Sequence, residues 1–147
     1  MYYAIVRTGS DCDSQGYCYS GELSDIAESL LEESEKSFCI DEDKPLEWFE
    51  KEYYCEFSDY RALKECKDDP PESLIRDYSF ILSDMEVRIA GLAQTPEEMT
   101  EMIEDEVSDY SLCNPISEED MDCVFEELQM LLEDCDTDVD DLEYFEE

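Results

Sequence analysis

Leu74-Ile-Arg-Asp-Tyr78-Ser-Phe-Ile81-Leu82-Ser-Asp-Met85-Glu-Val-Arg-Ile89-Ala-Gly91 admits two readings, and the choice between them sets the balance of helix and sheet. Leu74, Ile75, Tyr78, Ile81, Leu82, Met85 and Ile89 follow a three-and-four spacing, which makes one apolar face on a 3.6-residue period. Ser79 to Leu82 and Glu86 to Ala90 also fit two short strands. Because the helical spacing persists through all seven residues, the stretch is read as one long helix that stops at Gly91.

The flanks supply the other elements. Upstream, Asp68-Asp-Pro-Pro71 ends a short helix carrying Ala62, Leu63 and Cys66 and capped by Ser58 or Asp59. Leu46, Phe49, Tyr53 and Phe57 trace another helical stripe, with Trp48 beside it, after a charged break at Asp41 to Pro45. Leu23, Ile26, Ala27, Leu30 and Leu31 trace one more, with Phe38 following a polar interval. Tyr2 to Thr8 is β-prone and ends at Gly9, and Tyr17-Cys-Tyr19 pairs back on it. Downstream, Thr95-Pro-Glu-Glu98 is a helix start, with Thr at the N-cap and Pro at the first helical position. Met99, Met102, Ile103, Val107 and Tyr110 form the stripe of that helix.

The closing stretch from Ile116 repeats the pattern with Met121, Val124, Phe125, Leu128, Leu131, Leu132 and Cys135. Ser117 serves as its N-cap, and Ile116 and Met121 sit where a hydrophobic staple would close. These elements make an α+β fold that is mainly α. It has a small N-terminal β element, a bundle of five or six helices and an acidic C-terminal tail. Residues 1–135 read as one globular domain and 136–147 as the tail, docked or not.

Charge is the second signal. The chain of 147 residues carries 45 acids against 9 bases, a formal net charge of −36. After Arg88 there are 22 acids and no base. Such a field disfavours nucleic acid and anionic membranes as direct ligands and favours cations, either metal ions or basic protein surfaces. No apolar run reaches membrane-spanning length, and the first residues lack the pattern of a signal peptide. Eight cysteines and no histidine, with no Cys-x-x-Cys, argue against a zinc finger and fit free thiols in a cytoplasm. Without histidine the usual general base at neutral pH is missing, and no carboxylate pair stands out as catalytic, so an enzyme is not expected.

One cation motif merits notice. Asp11-Cys-Asp13-Ser-Gln15-Gly16-Tyr17-Cys18-Tyr19-Ser-Gly-Glu22 resembles an EF-hand loop, with Gly at its sixth place and Glu at its twelfth. The resemblance implies calcium ligands at Asp11, Asp13, Gln15, the Tyr17 carbonyl and Glu22. It departs from that family because a strand enters it, Gln holds the fifth place and Cys18 replaces an aliphatic residue. A plain Asp/Gly hairpin loop accounts for the same residues. Calcium aside, no cofactor is expected.

The polyanion says more. Glu118, Asp122 and Glu126 are i,i+4 neighbours of like sign, each pair costing a few tenths of a kcal/mol, about 0.2–0.5. A helix selected for stability alone would carry Lys there. Neighbouring phosphates on one DNA strand lie roughly 6–7 Å apart, and carboxylates at i and i+4 on a helix are about 6 Å apart. Rows such as Glu118–Asp122–Glu126 and Glu97–Glu101–Glu104/Asp105 therefore match phosphate spacing.

In size, charge and the acidic helices from Thr95 onward, the chain resembles the DNA-mimic class of anti-defence proteins, the anti-CRISPR and anti-restriction inhibitors of phages and mobile elements. That resemblance implies a catalytically silent protein acting in the cytoplasm of a bacterial host. Its expected partner is a basic nucleic-acid-binding protein, a CRISPR effector or restriction nuclease, whose DNA groove it would occupy. The implied contacts are Glu118, Asp122, Glu126, Glu127, Glu133 and Asp134, supported by Glu97, Glu98, Glu101, Glu104 and Asp105. Asp136, Asp138, Asp140 and Asp141 extend the track. Leu142, Tyr144 and Phe145 would dock the tail on the body or on the partner. An acidic chaperone or immunity protein for a basic partner uses the same electrostatics, and a homodimer stays open.

Overall fold

Tyr3-Ala4-Ile5-Val6 is buried at every position, which a strand achieves only when both of its faces are covered. Tyr3 and Ile5 enter one apolar cluster while Ala4 and Val6 enter another, as the alternation of side chains along a strand requires. The strand Tyr2–Ser10 (β1) is thus the centre of the molecule. The computed structural model describes residues 1–10, 13–37, 46–53, 57–82, 85–108, 110–133 and 142–146.

In chain order the elements are β1, Asp13–Gly21 (β2), Leu23–Ser37 (α1), Leu46–Tyr53 (α2), Ser58–Glu65 (α3) and Glu72–Arg76 (α4). Then follow Ser79–Leu82 (β3), Met85–Ala93 (β4), Pro96–Glu106 (α5), Ser111–Leu112 (β5), Met121–Glu133 (α6) and Phe145–Glu146 (β6). Four strands form an antiparallel sheet in the order β2-β1-β4-β3. One side of that sheet buries Ile26, Leu30, Phe57, Leu63 and Ile75 from α1, α3, α4 and the residue before α3. The other buries Met99, Ile103, Val124 and Leu128 from α5 and α6. The result is a sheet held between two helical layers.

The expectation of a mainly α fold with only a small N-terminal β element is therefore corrected. Among the described residues about 49% are helical and 28% lie in strands, including a four-stranded sheet. The error sits in Leu74 to Gly91. Only its first three residues, the end of Glu72–Arg76, are helical; Ser79–Leu82 is β3 and 85–91 belongs to β4. The three-and-four stripe included Ile81, which is 51% exposed, and left out Phe80 and Val87, which are buried at 1% and 0%. Period two is the true pattern: Tyr78 and Phe80, then Met85, Val87 and Ile89, all join the same core. Phe80 packs against Phe57 and Tyr60, with ring centroids 4.6 and 5.3 Å apart.

β4 carries an irregularity with consequences for both layers. Ile5 pairs with Gly91 but Val6 pairs with Ile89, which leaves Ala90 as an inserted residue. The insertion reverses the alternation, so Leu92 joins the core of Val87 while Ala93 joins the opposite one. Gly91 then lies under α5. A Cβ built on it would overlap the Met102 side chain, so glycine is needed here for close helix–sheet approach.

Other expectations hold. β1 and α1 to α3 form where the pattern placed them, except that Phe57 stands outside α2 as the N-cap of α3, in place of Ser58 or Asp59 and without a side-chain cap bond; β2 runs longer than the three residues expected of it. α5 begins as anticipated: Thr95 Oγ1 accepts the Glu98 N–H at 3.2 Å. Ahead of α6, Ser117 Oγ accepts the Asp120 N–H and donates to the Asp120 carboxylate at 2.9 Å. The helix proper starts at Met121. Ile116 and Met121 are both buried in the second core, as a staple requires. Cys135 lies outside the described residues.

Candidate partner-binding surface

The two helices singled out for their carboxylates, α5 and α6, occupy the same side of the sheet and share one core. α5 packs on β4 and α6 on β2, and the two helices touch each other. Their apolar stripes face inward, so their acids face outward. Glu97, Glu98, Glu101 and Asp105 of α5 are exposed, and Glu104 is half-buried with the Leu112 N–H donating to it at 3.4 Å. On the α6 side Glu118, Asp122 and Glu126 are exposed and Glu127 is half-buried. Glu133 is the last residue of α6, and Asp134, Asp136, Asp138, Asp140 and Asp141 lie outside the described residues.

The geometry edits the expected rows. Glu97, Glu101, Glu104 and Asp105 all lie within α5, so their i,i+4 spacing of about 6 Å is that of a continuous helix. Glu118 precedes α6 in a turn, which leaves Asp122 and Glu126 as the helical pair of the second row.

Several of these acids are held by the body. The Tyr3 hydroxyl donates to Asp122 at 2.5 Å, tying the helix to the central strand. Burial, followed by the bond to Asp122 and its charge, pushes the Tyr3 phenol up to about 12, so it remains a donor at neutral pH. Glu98 accepts the Gln94 N–H at 2.8 Å and lies 3.7 Å from Arg76. Gln129 of α6 accepts the outward N–H of Cys18, covering part of the edge of β2.

The described cations lie elsewhere or are already engaged. Arg61 pairs with Glu47 and Glu50, and Lys64 with Glu35 at 3.0 Å, both on the α1–α3 side. Arg76 of α4 pairs with Glu72 at 3.0 Å, and Arg88 of β4 with Glu86 at 3.1 Å. Arg7 reaches from β1 toward α5, where its Nε donates to Glu106 at 2.9 Å in a largely buried ion pair. The outward row of α5 and the helical acids of α6 therefore have no Lys or Arg of their own layer to neutralise them, since no base follows Arg88.

Among the described residues the expected calcium ligands are not gathered. Positions 13, 15 and 17 lie on β2, paired with Ser10, Thr8 and Val6, and Glu22 follows the strand. At about 3.3 Å per residue, an extended chain spreads positions 13 to 22 over roughly 25–30 Å, whereas ligands of one ion converge within a few ångströms. Glu22 instead lies 3.7 Å from the N-terminal amine, and Asp11 is outside the described residues.

The sequence reading missed a second grouping. β5 and β6 pair Leu112 with Phe145 and bring the chain end beside the start of α6. Asp120, Glu143 and Tyr144 meet there around a small pocket, and Glu127 lies close enough to Glu143 to feel its charge. No local pattern links residues so far apart; only the β5–β6 pairing does. No helix among the described residues is long and apolar enough to cross a membrane. Compared with known protein families, with curated proteins and with solved structures, the chain matches none.

Proposed function

We propose that the protein is a DNA-mimic inhibitor that occupies the basic nucleic-acid groove of a bacterial defence nuclease, a CRISPR effector or a restriction enzyme, in the host cytoplasm. The reading is supported above all by one observation: two neighbouring helices on one side of the sheet turn carboxylates outward with no Lys or Arg among them. A groove lined by Lys and Arg to hold DNA releases counterions on binding phosphates, and a row of carboxylates at similar spacing engages it by the same physics. Each exposed pair is worth under about 1 kcal/mol, so affinity accumulates from many contacts. Rigid seating limits the entropy lost on binding; here it comes from the Thr95 cap, the Tyr3–Asp122 bond and the Arg7–Glu106 pair.

The test is inhibition of purified nucleases across a salt series. One protein per nuclease should suffice, binding should weaken steeply with salt, and excess duplex DNA should displace the inhibitor. Salt-insensitive binding, or turnover at sub-stoichiometric ratios, would remove the reading. A basic toxin or chaperone client would show the same salt dependence, but DNA would fail to compete.

A further inference from the structure

Residues 142–146 are seated on the body by few contacts. β6 pairs with β5 at two positions, Ser111 with Glu146 and Leu112 with Phe145. The Cys113 N–H donates to the Tyr144 carbonyl at 2.8 Å, and the Phe145 N–H donates to the Leu142 carbonyl at 3.2 Å. Phe145 is buried in the core of α5 and α6, with Leu142 and Tyr144 packed against that core. Segments held by so few contacts open locally at a fraction of the cost of global unfolding. The four-stranded sheet does not include β6, so it keeps all its pairing when this segment lifts.

One contact opposes the seat. Glu127 of α6 is half-buried, and its Oε2 is buried with no hydrogen bond among the described residues. The segment brings Glu143 close enough for Glu127 to feel its charge. The other titratable groups about the seat are Tyr144 of the segment, Asp120 and Cys123 of α6, Cys113 of β5 and Glu104 of α5, which accepts the Leu112 N–H. β2, which also packs on α6, adds Cys18. None of these is a cation, and Arg7, which meets Leu132 over Gly16, is engaged by Glu106. No described cation pairs with Glu127 or Glu143.

A carboxylate taken out of water without a donor is costly, and a second carboxylate beside it adds repulsion. Both effects favour the protonated form. The Glu127 carboxyl is accordingly pushed above its usual range, by burial first and by Glu143 second.

We propose that residues 142–146 form a pH-sensitive latch, shut while Glu127 carries its proton and loosened as that proton leaves. With Glu127 neutral, the repulsion from Glu143 is gone. With Glu127 ionised, both carboxylates recover water when the segment lifts. The shut form holds the proton to higher pH than the open form, so raising pH through that window favours opening. The device needs no partner, and it stands whether or not the acidic helices mimic DNA.

The experiment follows amide hydrogen exchange in the isotope-labelled full chain from about pH 5 to about pH 8, corrected for intrinsic exchange rates. Cys113 and Phe145 report on the latch, and Val124, bonded to the Asp120 carbonyl, reports on the helix beneath it. Protection of Cys113 and Phe145 should fall about two- to five-fold as pH rises, the worth of one partly exposed charge contact. Val124 should change little. Glu127→Gln should abolish the fall, and Glu143→Gln should reduce it. Glu28→Gln, at an exposed site on the opposite layer, should leave it as in the parent chain. Protection indifferent to pH, or a fall that persists in Glu127→Gln, would overturn the proposal. A fall in which Val124 follows Cys113 step for step would overturn it too, because α6 rather than the segment would then be opening.

Discussion

The two sides of the sheet bury comparable cores but treat charge in opposite ways. On the side of α1 to α4, acids are answered by cations: Glu35 by Lys64, Glu47 and Glu50 by Arg61, Glu72 by Arg76. On the side of α5 and α6, acids are answered mainly by uncharged donors, the Tyr3 hydroxyl and the amides of Gln94 and Leu112, and the outermost are left to water. Two arginines are exceptions: Arg7 serves Glu106 at the inner end of α5, and Arg76 lies 3.7 Å from Glu98. The first side mixes its carboxylates with Lys and Arg, and some of these pairs hold helices together. The second displays them, and the repulsion is tolerated because the apolar stripe beneath is complete.

The comparison can be pressed hardest through the cores. Leu30 and Leu128 are fully buried on opposite sides, and replacing either by Ala should cost about 2–5 kcal/mol in denaturant unfolding. If the sheet separates the two layers, the double variant loses the sum to within about 0.5 kcal/mol. A large departure from additivity would mean that the layers are not independent.

Next in size is the charge test. Replacing Glu97, Glu101, Asp105, Asp122 and Glu126 by their amides should lower affinity for a DNA-binding groove by at least tenfold to a hundredfold, taking each pair at about 0.3–0.6 kcal/mol. Treating Glu28, Glu32, Asp68 and Asp69 on the other side in the same way should change it little. Equal losses from both sets, measured by titration at low salt, would erase the distinction between the two sides.

A smaller effect is expected from Tyr3→Phe. It removes the bond to Asp122 and should cost about 1 kcal/mol, the lower range for a partly exposed charged hydrogen bond. Tm at fixed salt reads it out.

The smallest effect concerns pH. Burial and Glu143 raise the Glu127 carboxyl in the folded state, so the folded protein keeps that proton to higher pH than the unfolded chain. Between the unfolded and folded pKa values the native state binds more protons, and stability falls as pH rises through that window. Full benefit is present below the unfolded value, about 4.3 for Glu. Glu127→Gln should therefore raise Tm at neutral pH by about 1–2 °C and flatten the decline just above the usual carboxylate range. An unchanged slope would show that the carboxyl is well solvated.

Much of this molecule was legible in its sequence. Helices α1, α3 and α5 announced themselves through apolar spacing, α5 through its Thr95 cap as well, and Tyr3 to Val6 through an unbroken apolar run. The reading failed where two periods overlapped. Between Leu74 and Gly91 the residues at three-and-four spacing include solvent-facing Ile81, and the alternation of Tyr78 with Phe80 and of Val87 with Ile89 was the weaker pattern in a short stretch. The spacing makes Gly91 a helix stop, whereas in the fold its small size serves a contact with Met102. The acidic surface was legible because composition alone reveals it. The pocket was not, because it joins Leu112, Val124 and Tyr144 through a two-residue pairing that leaves no periodic trace. The calcium-like loop had the right letters, but positions 13 to 21 belong to a strand.

The unpaired Ala90 gives β4 a fragility that surface loops do not have. Pairing every residue in step, with Ala90 opposite Ile5, would turn Leu92 and Ala93 toward each other's layers and set the Ala90 methyl where Met102 now rests on bare backbone. Deleting Ala90 leaves Gly91, Leu92 and Ala93 opposite Ile5, Ala4 and Tyr3, so lineages descended from this protein should lose residue 90 more readily than they lose Gly91.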